Sequence, residues 1–373
     1  MLIRYGTDKK GKPVKKAVIY TKEEHKIPLN KIDSNAVYIV RRLKENGYEA
    51  YIVGGSVRDL IIGRTPKDFD IVTDAVPVKI RRIFKNSRII GKRFRLVHIV
   101  FGDQIYETST FRSTVEGSVG NEFGCIDEDV QRRDFSINAL YYDPIKEQVI
   151  DYVNGFEDLK NGVLSPIIPL ERIFIEDPVR MIRAVKYSVT TNCKMNHKLE
   201  KKILKSSSLL IPISPSRLTE ELLKIINCGK SYEIIRKAIE LGIYEYLQPA
   251  ATEMILENKK FQEKYFTSLK QLDELVSKNS DIRLGEKLVF LLQDFVASLT
   301  DWNLEQKYTV STGELYKNTW TSCRNFILPM NPPRIELDYA IRKILTGVGV
   351  KVKTKKRTPK APANQNKETK AKN

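Results

Sequence analysis

Val53-Gly54-Gly55-Ser56-Val57-Arg58-Asp59, followed closely by Lys67-Asp68-Phe69-Asp70-Ile71, is the stretch on which the fold of this chain turns. Tyr51–Val53 reads as an apolar strand, the glycines as a bend, and Ser56–Ile62 as an amphipathic helix with Ser56 and Asp59 spaced as a capping box. A diglycine bend lets a phosphate approach the backbone, and Arg58 adds a planar donor for its oxygens. Phe69–Thr73 reads as a second strand, which sets Asp68 and Asp70 on one face while Phe69 and Ile71 enter a core. Two adjacent like charges call for a cation, and hard oxygen donors favour Mg²⁺ held with nucleotide phosphates. Taken singly, the same residues also read as a structural turn and a chance D-x-D.

Further along, Val97–Phe101 and Gln104–Ser109 flank Gly102-Asp103 as a hairpin, and its returning strand carries Glu107, either a third metal ligand or an exposed strand residue. Arg132 and Arg133 suit phosphates, and Asp134 suits a ribose hydroxyl or the metal site; a surface charge cluster is the competing account. Glu176-Asp177-Pro178-Val179-Arg180 opens a helix with an early proline. Asp177 and Arg180 lie three apart on one face, as do Glu176, Arg180 and Arg183, so a carboxylate beside a guanidinium can read a nucleobase edge or the set can form an ion-pair ladder. From about Val37 to Val153 strands alternate with helices. After about Pro166 helical periods dominate, at Asp177–Tyr187, Pro215–Ile226, Ser231–Leu241 and Leu284–Ala297.

The chain has 373 residues, 64 Lys and Arg against 46 Asp and Glu, and a net charge of +18, with 41% hydrophobic residues. That apolar share supports a folded core. No apolar run is long enough to span a membrane and Met-Leu-Ile-Arg opens no signal core, so a soluble, cytoplasmic protein with no membrane partner is expected. Cys125, Cys193, Cys228 and Cys323 form no paired motif and His25, His98 and His197 do not cluster with them, which argues against disulfides, zinc and nucleophile triads. Residues 351–373 hold nine Lys and Arg against the single Glu368, a flexible basic arm suited to nucleic acid.

In order and spacing these motifs, with Ser214-Pro215-Ser216-Arg217-Leu218-Thr219-Glu220-Glu221, resemble the class II tRNA nucleotidyltransferase and poly(A) polymerase family of the polymerase-β-like superfamily. The match runs from about Lys26 to Pro249. Ile89-Ile90-Gly91-Lys92-Arg93-Phe94-Arg95-Leu96-Val97-His98 looks like the signature that separates bacterial poly(A) polymerases from CCA-adding enzymes. The resemblance implies an α+β protein: an N-terminal extension (1–30), a nucleotidyltransferase head with a mixed β-sheet (31–165), a helical neck (166–248), a helical body (249–348) and a flexible basic tail (349–373). It implies that Asp68 and Asp70 hold Mg²⁺, with Asp134 as the third catalytic acid or Glu107 as the third ligand. Gly54, Gly55 and Arg58 would hold the triphosphate of ATP, Arg132 and Arg133 would sit near its phosphates, and Asp177 with Arg180 would contact the base. The implied activity is template-independent addition of AMP to RNA 3′ ends, giving poly(A) tails that promote RNA decay and quality control, with RNA-decay machinery as a partner. CCA addition to tRNA and a non-catalytic RNA-binding role are the alternatives.

Overall fold

The computed structural model describes residues 2–7, 12–91, 96–113, 123–279, 281–299 and 311–350. Residues 351–373 of the expected tail and Lys92–Arg95 of the 89–98 signature lie outside them. Among the described residues nine strands, β1 (Leu2–Thr7), β2 (Pro13–Tyr20), β3 (Ala50–Val53), β4 (Asp70–Thr73), β5 (Ser87–Ile90), β6 (Leu96–Phe101), β7 (Gln104–Thr110), β8 (Leu140–Asp143) and β9 (Gln148–Asp151), form one sheet in the order β1-β2-β9-β8-β3-β4-β7-β6-β5. All its ladders are antiparallel except β4 with β7, so the sheet is mixed.

All four residues of β3 are buried, because both faces of the sheet are covered there. On one face α2 (Ser34–Glu45), capped by Asp33, brings Ala36, Ile39, Val40 and Leu43 against β3 and β4. Its apolar positions recur every three or four residues, as an amphipathic helix requires. α4 (Pro77–Ile83) covers β5 and β6 on the sheet. On the other face Tyr51, Val53, Val72, Tyr141 and Ile150 pack with Ile126 and Val130 of α5 (Ile126–Gln131). The N-terminal stretch is part of this sheet, since β2 pairs with β9 and β1 with β2.

Two expectations change in detail. The helix after the bend, α3 (Gly55–Ile61), is capped by Gly54 in the left-handed region (φ 77°), not by Ser56. Ser56 donates back to the Val53 carbonyl at 3.1 Å and Asp59 pairs with Arg58, so no capping box forms. The second strand starts at Asp70, which leaves Asp68 just before it in the loop rather than on the strand face.

Short α1 (Lys22–His25) precedes α2, and the remaining described elements are helices: α6 (Gly155–Asn161), α7 (Ile173–Glu176), α8 (Val179–Thr190), α9 (His197–Ser206), α10 (Pro215–Ile226), α11 (Ser231–Glu240), α12 (Tyr244–Leu247), α13 (Pro249–Glu257), α14 (Lys259–Lys278), α15 (Leu284–Leu299), α16 (Thr312–Phe326) and α17 (Arg334–Gly347). Pro215 stands at the start of α10, and Leu218, Leu222, Ile225 and Ile226 make its buried stripe. The chain divides into two compact units, Met1–Asp281 with Leu328–Asn331, and Ile282–Ile327 with Pro332–Asn373. In the second, α15 and α17 pack closely at Gly285, where an added Cβ would meet Tyr339 at 2.7 Å, and Phe295 stacks on Phe326 at 4.0 Å. Among the described residues no helix is long and apolar enough to cross a membrane.

Candidate active site

β3 delivers the chain to Gly54, whose φ of 77° disfavours any side chain. A Cβ there would lie 3.9 Å from Arg133 NH1, and one on Gly55 would lie 3.6 Å from Arg58 NH2. The bend is thus bordered by two guanidinium groups. Arg58 is fixed before any ligand arrives: Nε and NH2 reach Asp59 Oδ1 at 2.9 and 2.8 Å, NH1 donates to Asn138 Oδ1 at 2.7 Å, and its plane lies 5.2 Å from the Tyr187 ring centre.

Asp70, the first residue of β4, sits opposite Val53. The parallel ladder pairs Ile71 with Thr108, so the residues one step earlier, Asp70 and Glu107, are neighbours on one face. The Asp70 carboxyl is pushed up to about 6, first by desolvation and then by the negative charges of Glu107 and Asp68, with Arg133 and Lys224 opposing. The residue keeps surface open to solvent, but the walls around its carboxyl thin the water on its other sides. Glu107 Oε1 is 3.5 Å from His98 Nε2 on β6. Among the described residues neither Asp68 nor Asp70 has an ion-pair partner. Nor, among them, does any group of three or more His, Cys, Asp or Glu side chains stand placed to hold a metal ion. An open set of carboxylate oxygens, mutually repelling, fits Mg²⁺, which binds through one or two carboxylates and completes its shell with water and substrate phosphates.

Arg132 ends α5, and Arg133 follows. Arg133 is spent on structure: Nε and NH2 reach Asp129 Oδ2 at 3.1 and 2.8 Å, Nε also donates to the Tyr141 hydroxyl at 3.0 Å, and NH1 donates to the Asn138 carbonyl at 3.3 Å. Arg132 has a different environment. Burial and then the charge of Arg112 lower its pKa, and Arg180 and Arg133 add to the effect against the opposing pull of Asp129. A group of guanidiniums that depress one another is relieved by an anion.

Asp134 turns away from this cluster. Its Oδ1 accepts from Phe135 N at 2.7 Å and from Asn138 Nδ2 at 3.2 Å, and Oδ2 is 4.0 Å from Arg183. Asn138 therefore bridges Asp134 to Arg58, a residue the motif reading passed over. Nothing local in Ser136-Ile137-Asn138 announces that role.

Asp177 and Arg180 do not pair with each other; of the ladder reading the Glu176–Arg180 rung forms, while Arg183 turns to Glu221. Asp177 closes the one-turn α7, and α8 begins only at Val179. Arg180 bonds Glu176 at 3.1 Å and reaches the carbonyls of Ile173 and Arg132 at 3.2 and 3.3 Å. Asp177 instead receives both oxygens' contacts from Arg217 NH2 on α10, at 2.9 and 3.0 Å. One turn further, Glu221 is 2% exposed on the apolar stripe of α10, with Arg183 and Lys186 each at 3.1 Å and Lys224 at 3.3 Å. One carboxylate facing three cations is held at about 2 despite its burial. Lys186 is pushed below its ordinary value all the same, because burial, Lys224 and Arg183 together outweigh the one anion it shares. These cross-helix partners stand tens of residues apart, beyond the reach of spacing arguments.

Two family models match: "Poly A polymerase head domain" over residues 50–165 and "Probable RNA and SrmB- binding site of polymerase A" over residues 193–255. Poly(A) polymerase I of Salmonella typhimurium is 36% identical over 330 residues, which cover 83% of this chain and 70% of that protein. The CCA-adding enzyme of Lactobacillus helveticus is 38% identical over 201 residues, 51% of this chain and 49% of that protein. Among solved structures, the Bacillus stearothermophilus CCA-adding enzyme in complex with CTP shares the fold, with a TM-score of 0.56 at 24% identity, covering 84% of this chain and 82% of that one.

Proposed function

This chain belongs to the class II tRNA nucleotidyltransferase and poly(A) polymerase family, and from that premise we propose that it adds AMP from ATP to RNA 3′ ends without a template. The observation that carries this is the Asp70–Glu107 pair on one face of the sheet beside the diglycine bend, with Asp68 in the preceding loop near enough to raise the Asp70 carboxyl. The 3′-hydroxyl attacks the α-phosphorus in line and pyrophosphate leaves. Bound Mg²⁺ supplies acidity to the attacking hydroxyl and neutralises phosphate charge. Asp68 and Asp70 would hold the metal, with the Glu107 carboxylate, adjacent to Asp70, adding negative charge beside it. Asp134 acts from behind by fixing Asn138 and so Arg58. Gly54, Gly55 and Arg58 hold the triphosphate, Arg132 lends it charge, and Arg133 keeps the bend in shape. Asp177 and Arg180 meet the base from the neck.

The proposal extends to the head (31–165), neck (166–248), body (249–348) and basic tail (349–373), to RNA held partly by residues 193–255, and to a cytoplasmic enzyme whose tails feed RNA-decay machinery. Asp68→Asn should reduce AMP incorporation on an unstructured RNA at least a hundredfold with the fold intact; a fully active variant would refute the site. Supplying a tRNA lacking its terminus with CTP alone and then with CTP and ATP together separates the alternative: two C additions in the first, followed by one A in the second, would make this a CCA-adding enzyme.

A further inference from the structure

The ladders pair Val53 with Asp70, His98 with Glu107 and Arg88 with His98, and the β4–β7 register sets Glu107 beside Asp70. Val53, Asp70, Glu107, His98 and Arg88 therefore form one line across the sheet on a single face. With strands about 4.8 Å apart, Glu107, His98 and Arg88 lie about 5, 10 and 14 Å from Asp70 on the side away from the diglycine bend. In-line displacement puts the attacking oxygen and the leaving pyrophosphate on opposite sides of the α-phosphorus. With the triphosphate at Gly54, Gly55 and Arg58, as proposed above, and the α-phosphorus at Asp70, in-line geometry brings the 3′-hydroxyl from the Glu107 side.

Among the described residues the face along that approach is open. α5 roofs Val53 and Val72, yet beyond β4 the same face leaves Arg88 and Glu107 exposed, with Ile90 and Ile105 42% and 57% exposed. Among the described residues Arg88 has no carboxylate partner. We propose that this open face of β5, β6 and β7 seats the 3′-terminal nucleotides of single-stranded RNA, with Arg88 and His98 on its phosphodiester backbone and Ile90 and Ile105 under its sugars and bases. This deepens the AMP-transfer reading and rests on it.

Equilibrium binding of a five-nucleotide RNA, short enough to sample only the 3′-end contacts, tests it. Arg88→Ala should weaken binding by about five- to tenfold and reduce the slope of log affinity against log salt by about 0.7, the share of one single-strand phosphate contact. His98→Ala should weaken it less, and Arg88→Lys should retain most of it. In steady state the KM for RNA should rise while the KM for ATP holds. Unchanged RNA affinity, or a KM for ATP that rises in step, overturns the proposal. Should the variants unfold, the wild-type chain decides: 4-thiouridine at the penultimate position should crosslink within Ser87–Ile90 or Leu96–Phe101, and a crosslink elsewhere refutes the seat. Binding and crosslinking need no turnover, so a wild-type chain that fails to incorporate AMP strikes the enzymatic reading alone.

Discussion

Glu221→Gln keeps the shape of a buried side chain and removes only its charge, which makes it a clean probe of the α8–α10 junction. In the native chain this carboxyl is held at about 2, against an ordinary 4.5. That depression corresponds to about 3 kcal/mol of stability at neutral pH, and stranding Lys186 and Arg183 without their anion gives a loss of the same order. The sign follows from linkage: a depressed carboxylate contributes fully above about 4.5, and its contribution is lost as pH falls towards about 2. Urea unfolding of both proteins at pH 7 should therefore show the variant less stable by about 3 kcal/mol, with the gap falling below half of that by about pH 3. A gap below about 0.5 kcal/mol at pH 7, or one that does not change with pH, would refute the idea that a charge network rather than packing joins these helices.

Asp70→Asn should end AMP incorporation yet leave the metal-free fold slightly more stable at pH 8. The native carboxyl titrates at about 6, so its favourable contribution is complete below the ordinary value and disappears as pH rises through 6. Solvent screening reduces the nominal gain to about 1 kcal/mol. Melting with a chelator at pH 5 and pH 8 reads this, and a variant that melts lower at pH 8 contradicts it. Arg217→Ala should change stability by less than about 1 kcal/mol, since the pair is partly exposed. It should raise the KM for ATP severalfold by releasing Asp177, and an unaltered KM would mean that Asp177 needs no such support.

The diglycine bend, the β6–β7 hairpin and α10 are readable in sequence because each is specified locally, by glycine torsion, by turn chemistry or by apolar period. Ser56 and Asp59 mimic a capping box, but the left-handed Gly54 takes the capping position and shifts the helix start by a residue. Asp177 and Arg180 have helical spacing, but Pro178 ends one helix and opens the next between them, so each finds a different partner. Glu221 occupies a position where period predicts an apolar residue, and only the cations from α8 explain it. β1 and β2 gain a place in the sheet from β9, more than a hundred residues away, a pairing that no local pattern specifies.

The β4–β7 ladder has a consequence for how the protein comes into being. Its strands run the same way, so α4, β5 and β6 must be laid down between them before the edges can meet, and 37 residues separate Asp70 from Glu107. Contacts of such span close late, after the entropy of the intervening loop has been overcome. A chain still emerging from the ribosome thus carries its aspartates without their glutamate neighbour, and competence to extend RNA arrives only with the zipping of that seam.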